Sequence, residues 1–86
     1  MVEITEIVNT DKFEKSVRSI RDGRLKEHVK KQIEKIIKNP DIGKPLRHSM
    51  KGERTIYVKP FRIIYAVEGN KLTLLRFSHR DEAYDR

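Results

Sequence analysis

From position 55 to position 78 the chain runs through three stretches of alternating residues separated by two short breaks, the pattern of an antiparallel meander. Ile56 and Val58 alternate with Thr55 and Tyr57. Phe61, Ile63, Tyr65 and Val67 then alternate with Arg62, Ile64 and Ala66, and Leu72, Leu74 and Arg76 with Thr73, Leu75 and Phe77. Glu68-Gly69-Asn70 is a good hairpin turn. Lys59-Pro60 fits less well, because proline is disfavoured at the third position of a type I turn; a cis bond or a longer loop resolves the conflict. The middle strand carries an arginine, which a core strand does not need. On the parity of Ile64 and Ala66, Arg62 is expected to stand on the exposed, concave side of the sheet, with Phe61, Ile63, Tyr65 and Val67 facing the helices.

The first half supplies those helices. Val2, Ile4 and Val8 share one parity, interrupted by Glu6, and read as a strand. Asn9-Thr10-Asp11 provides capping side chains, and Asp11 with Glu14 has capping-box spacing. Phe13, Val17 and Ile20 make one face of a short helix over residues 11–21, which Asp22-Gly23 breaks. Leu25, Val29, Ile33, Ile36 and Ile37 form a second stripe, supported by Glu27/Lys31 and Glu34/Lys38 and ended by Asn39-Pro40. Residues 39–53 are irregular. The expected fold is α+β, in the order β-α-α-β-β-β. An antiparallel sheet of about four strands carries an N-terminal helical hairpin on one face, and residues 1–86 form one domain.

With 86 residues and no cysteine, neither disulfides nor a thiolate metal site can reinforce the core. No apolar run approaches the roughly 20 residues of a membrane span, and no signal-peptide pattern is present, so a cytoplasmic protein is expected. The net charge is +7. Residues 44–62 concentrate it: Lys44, Arg47, Lys51, Arg54, Lys59 and Arg62 stand against a single acid, Glu53. Such a field favours polyanions, nucleic acid first and acidic protein partners second. No His/Cys/Asp cluster suggests a metal, no glycine-rich nucleotide loop is present, and no cofactor is expected.

Three motifs add a family resemblance that covers nearly the whole chain. Pro45-Leu46 through Gly52 is similar to a "pL…G" entry into the sheet, Phe61-Arg62-Ile63-Ile64-Tyr65 to a "YRIIY" strand, and His79-Arg80-Asp81-Glu82-Ala83-Tyr84 to an "HR-x-x-x-Y" ending. Together they resemble the RelE/ParE superfamily, the small toxins of type II toxin–antitoxin pairs. In that superfamily the RelE-like branch cleaves messenger RNA in the ribosomal A site, whereas ParE-like members poison gyrase. The ending is more similar to the nuclease branch. The resemblance implies Arg62 and Arg80 as phosphate-binding residues and Tyr84 as a base-stacking or proton-transfer residue. Its partners would be an acidic or amphipathic RelB-like antitoxin, mRNA and the ribosome, with the toxin alone a monomer. Relatives often carry two alternating basic residues on the strand before the turn. Thr55 and Tyr57 occupy those places here, with the bases displaced to Arg54 and Lys59, which leaves the general base unassigned.

Metal-free RNA cleavage requires deprotonation of the 2′-hydroxyl, stabilisation of the phosphorane and protonation of the leaving 5′-oxygen. Arginine suits the second task, because its planar fork holds two phosphate oxygens. Arg62, Arg80 and Arg76 are the candidates, with Arg76 on the parity of Leu72 and Leu74 equally suited to a strand salt bridge. His79 is the candidate acid or base, or else a structural hydrogen-bond partner; His48 is the weaker choice. Arg47, Lys51, Arg54, Tyr57, Lys59 and Arg76 are the candidate RNA contacts, Tyr57 by stacking. The expected function is a ribosome-dependent endoribonuclease toxin leaving a 2′,3′-cyclic or 3′-phosphate. The alternatives are a gyrase inhibitor and a family member that only binds antitoxin or RNA.

Overall fold

The structure, a computed structural model, describes residues 3–46 and 52–79. Strand β1 (Glu6–Asn9) is followed by helices α1 (Asp11–Arg18) and α2 (Gly23–Lys38). Strands β2 (Lys44–Pro45), β3 (Glu53–Val58), β4 (Phe61–Glu68) and β5 (Lys71–His79) complete the described elements. They form one sheet in the order β1-β5-β4-β3-β2. The α+β class and the element order are as expected from the sequence, but the sheet is mixed rather than wholly antiparallel. Strand β1 runs parallel to β5, and the two-residue β2 adds a fifth strand at the far edge. Asn70, in the turn before β5, directs β1: its carbonyl accepts from the Thr5 and Glu6 amides, and its side chain donates to Glu3 O at 2.6 Å.

The helix stripes meet one face of this sheet. Phe13, Ile20, Val29 and Ile36 are buried with Val58, Ile63, Tyr65, Leu72, Leu74 and Phe77. Phe13 meets Phe77 edge-on at 6.5 Å between centroids, and Phe77 stacks on Phe61 at 4.8 Å. A full burial of this kind contributes about 1.5–3 kcal/mol per large apolar side chain. The expected parity of β4 is therefore found, with Ile63 and Tyr65 under the helices. The Lys59–Pro60 peptide is cis.

The alternation expected for β5 does not survive its whole length. Ile64 pairs with Arg76 but Tyr65 pairs with Leu74, so Leu75 is an extra residue, a β-bulge. Beyond the bulge every side chain changes face. Leu72 and Leu74 face the helices, but so does Phe77, and Arg76 crosses to the opposite side. The bulge has a visible support in Thr10, which was expected to serve only as one of three capping candidates. The Thr10 hydroxyl accepts from Phe13 N at 3.1 Å, capping α1, and as donor lies 2.9 Å from Leu75 O and 3.1 Å from Leu74 O. Helix α1 ends at Arg18 rather than position 21, and Asp22 caps α2 by accepting from Arg24 N and Leu25 N.

A second polar tie holds the segment between α2 and β2. The buried Tyr65 hydroxyl donates to Pro40 O at 2.8 Å and accepts from Gly43 N at 2.9 Å. A Cβ on Gly43 would lie 2.6 Å from that oxygen and 2.9 Å from Thr55 O, so only glycine allows the approach. Burial pushes the phenol above its usual 10.0, against the lowering effects of the Gly43 N–H and Arg54.

Thr10→Val removes the cap and the bulge bond together while keeping shape, and is expected to cost about 1–2 kcal/mol, with Thr10→Ser near wild type, by denaturant titration. Tyr65→Phe orphans two buried backbone groups at about 1–3 kcal/mol. Because the folded-state value of Tyr65 is raised, its contribution is complete below the unfolded value near 10 and is lost as pH rises from there towards the folded one. Wild type should therefore lose stability more steeply than Tyr65→Phe above about pH 10, measured by denaturation at stepped pH.

Candidate nucleic-acid interface

The face of the sheet away from the helices is ordered by strand register. Opposite residues Tyr57, Arg62 and Ser78 form one row across β3, β4 and β5. Lys44, Thr55, Ile64 and Arg76 form the next, across β2 to β5. Four predicted or neighbouring cationic and aromatic residues thus converge: Arg62 and Tyr57, with Arg76 brought in by the bulge and Lys44 by the short β2. Lys44 was not singled out as a site residue. The signal was its place in the basic window, but a two-residue strand leaves no periodicity from which to read a face.

Arg62 does not stand exposed as expected. It is 7% accessible, beside Thr55 at 6% and Ile64 at 1%, so its charge is held in a largely water-excluded setting. Its guanidinium carbon lies 4.9 Å from the centroid of the Tyr57 ring, a cation–π distance. Tyr57 is 44% exposed, so it presents ring surface to solvent while contacting the arginine. The Tyr57 carbonyl accepts from Gln32 Nε2 at 2.8 Å, which ties the end of β3 to α2. Screening by solvent is weaker at such a place than at the surface, so a phosphate reaching Arg62 meets a stronger field than an exposed arginine gives.

Other predicted residues lie elsewhere. Arg54 pairs in register with Tyr65, on the helix side. It donates to Gly43 O at 2.7 Å and meets the Asp41 carboxylate at 3.6 Å, so it braces the loop that Tyr65 holds. His79 pairs with Phe61, and its ring meets Phe61 edge-on at 5.5 Å. That puts His79 on the helix side, across the sheet from Arg62; the bulge that recruits Arg76 is what removes it. Lys59 is exposed in the β3–β4 turn. Arg47, His48, Lys51, Arg80 and Tyr84 lie outside the described residues. Among the described residues no group of three His, Cys, Asp or Glu is placed to hold a metal, and no helix is long and apolar enough to cross a membrane.

Residues 7–84 match the family described as the ParE toxin of type II toxin–antitoxin systems, parDE. The chain belongs to this family, within the RelE/ParE toxin superfamily. It is 29% identical over 89 residues to a putative toxin RelE4 of Methanocaldococcus jannaschii, covering 100% of this chain and 94% of that relative. Its fold is similar to that of the YoeB/ParE toxin from Agrobacterium tumefaciens, with a TM-score of 0.78 and 20% identity over 88% of this chain and 99% of the other. It is also similar to a chain of the RelB-RelE antitoxin–toxin complex from Methanococcus jannaschii, with a TM-score of 0.71 and 20% identity over 91% and 95%. The mixed five-strand sheet and two helices thus match the folds of RelE and YoeB toxins.

Proposed function

We propose that this chain is a ribosome-dependent endoribonuclease toxin acting on mRNA in the cytoplasm, and that the face around Arg62 receives the scissile phosphate. The supporting observation is Arg62 itself, a desolvated arginine in mid-strand, held against an aromatic ring and flanked on the same face by a second arginine. Cations fixed in advance where charge develops are usually the largest catalytic contribution. In the reaction the 2′-oxygen attacks phosphorus and the 5′-oxygen departs. The negative charge of the phosphorane falls to Arg62, with Arg80 as its proposed partner, and a 2′,3′-cyclic phosphate results, opened to a 3′-phosphate by water. Tyr57 offers its exposed ring to a base beside that phosphate, and Tyr84 is the proposed second aromatic or proton donor. The edge-on contact of the His79 ring with Phe61 supports placing proton transfer on another residue.

An antitoxin is the proposed protein partner, since similar toxins are found in RelB–RelE and DinJ–YafQ complexes. An acidic partner would neutralise the same cations. The match to the ParE toxin family favours a second reading, inhibition of gyrase through protein contact. The two separate on Arg62. Under the nuclease reading, purified protein added to a translation extract cuts mRNA at ribosome-occupied codons, mapped by primer extension. Arg62→Ala lowers the cutting rate by about 10²–10³-fold. Uncut messages at high wild-type concentration, with loss of gyrase supercoiling that Arg62→Ala retains, establish the second reading instead.

A further inference from the structure

We infer that a second phosphate of the bound strand is held outside the Arg62 face, at the β5 edge, between Lys12 of α1 and Arg76 of β5. This subsite rests on the nucleic-acid reading above and extends it to how the strand leaves the site.

A groove of about 340 Å³ lies there, lined by Lys12, Ser16, Arg76, Phe77 and Ser78. Among the described residues that line it, two are cations from different elements, two are hydroxyls, and none is a carboxylate. Among the described residues neither Lys12 nor Arg76 meets a carboxylate at salt-bridge distance; the ion pairs formed there are Arg18–Glu14 and Arg54–Asp41. Two cations that line one groove with no described acid between them repel each other, and an anion relieves that repulsion.

The backbone leaves room for a strand at this point. Strand β1 pairs with β5 only as far as Leu74, and Thr10 covers the carbonyls of Leu74 and Leu75. From Arg76 onward that edge of β5 has no neighbouring strand among the described residues. A larger groove of about 480 Å³ shares Ser16, Phe77 and Ser78 with it and is lined further on by Arg21, Asp22, Leu25 and Phe61. Arg76 belongs to both places. Through the bulge its backbone sits diagonally across from Arg62 on one face, and diagonal neighbours of adjacent strands are roughly 7–8 Å apart. Arg76 is also among the residues that line the edge groove. A sugar–phosphate backbone can therefore pass from Arg62 to Arg76 and over the β5 edge to Lys12, with cations along its whole course.

The experiment uses the intact protein and a fluorescent single-stranded deoxyoligonucleotide, which lacks the 2′-hydroxyl and cannot be cut. Anisotropy titrations at stepped salt give the dependence of log K on log salt. The Lys12→Gln/Arg76→Gln variant should bind more weakly to all sequences, with a slope reduced by roughly 0.7 per phosphate contact removed. A Lys30→Gln/Lys31→Gln variant, equal in net charge but altered on the outer face of α2, should keep the wild-type slope. Thermal melts of both must match wild type. Equal slopes for the two double variants overturn the subsite, since only net charge then matters. Unchanged oligonucleotide binding with weakened binding of an acidic peptide overturns it too, in favour of a protein-docking edge. If the slope falls as expected while wild type leaves ribosome-bound mRNA uncut, the subsite stands and the nuclease reading fails; cutting with an unchanged slope gives the converse.

Discussion

One hydroxyl, that of Thr10, holds together the parts of this molecule that matter for its site. It caps α1 through Phe13 N and reaches the Leu74 and Leu75 carbonyls where β5 bulges. Both ends of the interaction are needed. A bulge leaves backbone groups out of the ladder, and a buried carbonyl without a donor is costly. A helix start likewise leaves amide donors unmatched. Thr10 answers both with one side chain, at the point where β1 ends and α1 begins. The bulge then decides which side chains of β5 reach which face: Phe77 joins Phe13 and Phe61 under the helices, and Arg76 joins Arg62.

Much of the fold was legible because it rests on local periodicity. The stripe of Val29, Ile33 and Ile36 and the alternation of Phe61, Ile63 and Tyr65 both report faces that are buried. Asp22-Gly23 and Glu68-Gly69-Asn70 mark breaks that are present, and the proline in the β3–β4 turn is accommodated by a cis bond. The direction of β1 was not legible, because it depends on the Asn70 side chain reaching Glu3, a contact 67 residues apart in sequence. The bulge was not legible either. A single inserted residue in Leu72-Thr73-Leu74-Leu75-Arg76-Phe77 leaves an apolar run that fits two registers, and the distant Thr10 supports the one observed.

The same limit applied to the site. The mid-strand position of Arg62 was readable, and so was its parity, but not its burial, which comes from packing across the sheet. Arg54 looked like one more cation of the basic window. Its geometry makes it a brace for the Pro40–Gly43 turn, alongside Tyr65, and that role follows from Gly43 being close enough to receive it. Two arginines of the same basic window, Arg54 and Arg62, therefore stand on opposite faces of the sheet. The replacement of strand bases by Thr55 and Tyr57 also acquires a physical meaning. Tyr57 gives Arg62 an aromatic contact where a second cation would repel it.

On the proposed reading the arginines divide between a nucleic-acid face and a structural face. Side-chain Nε–Hε correlation spectra of the labelled protein, recorded during titration with a non-cleavable oligonucleotide, separate the two faces. The Arg62 and Arg76 signals should move together and saturate with binding, while the Arg54 and Arg18 signals stay in place. Movement of Arg54 with Arg62 and Arg76 unchanged would contradict that reading.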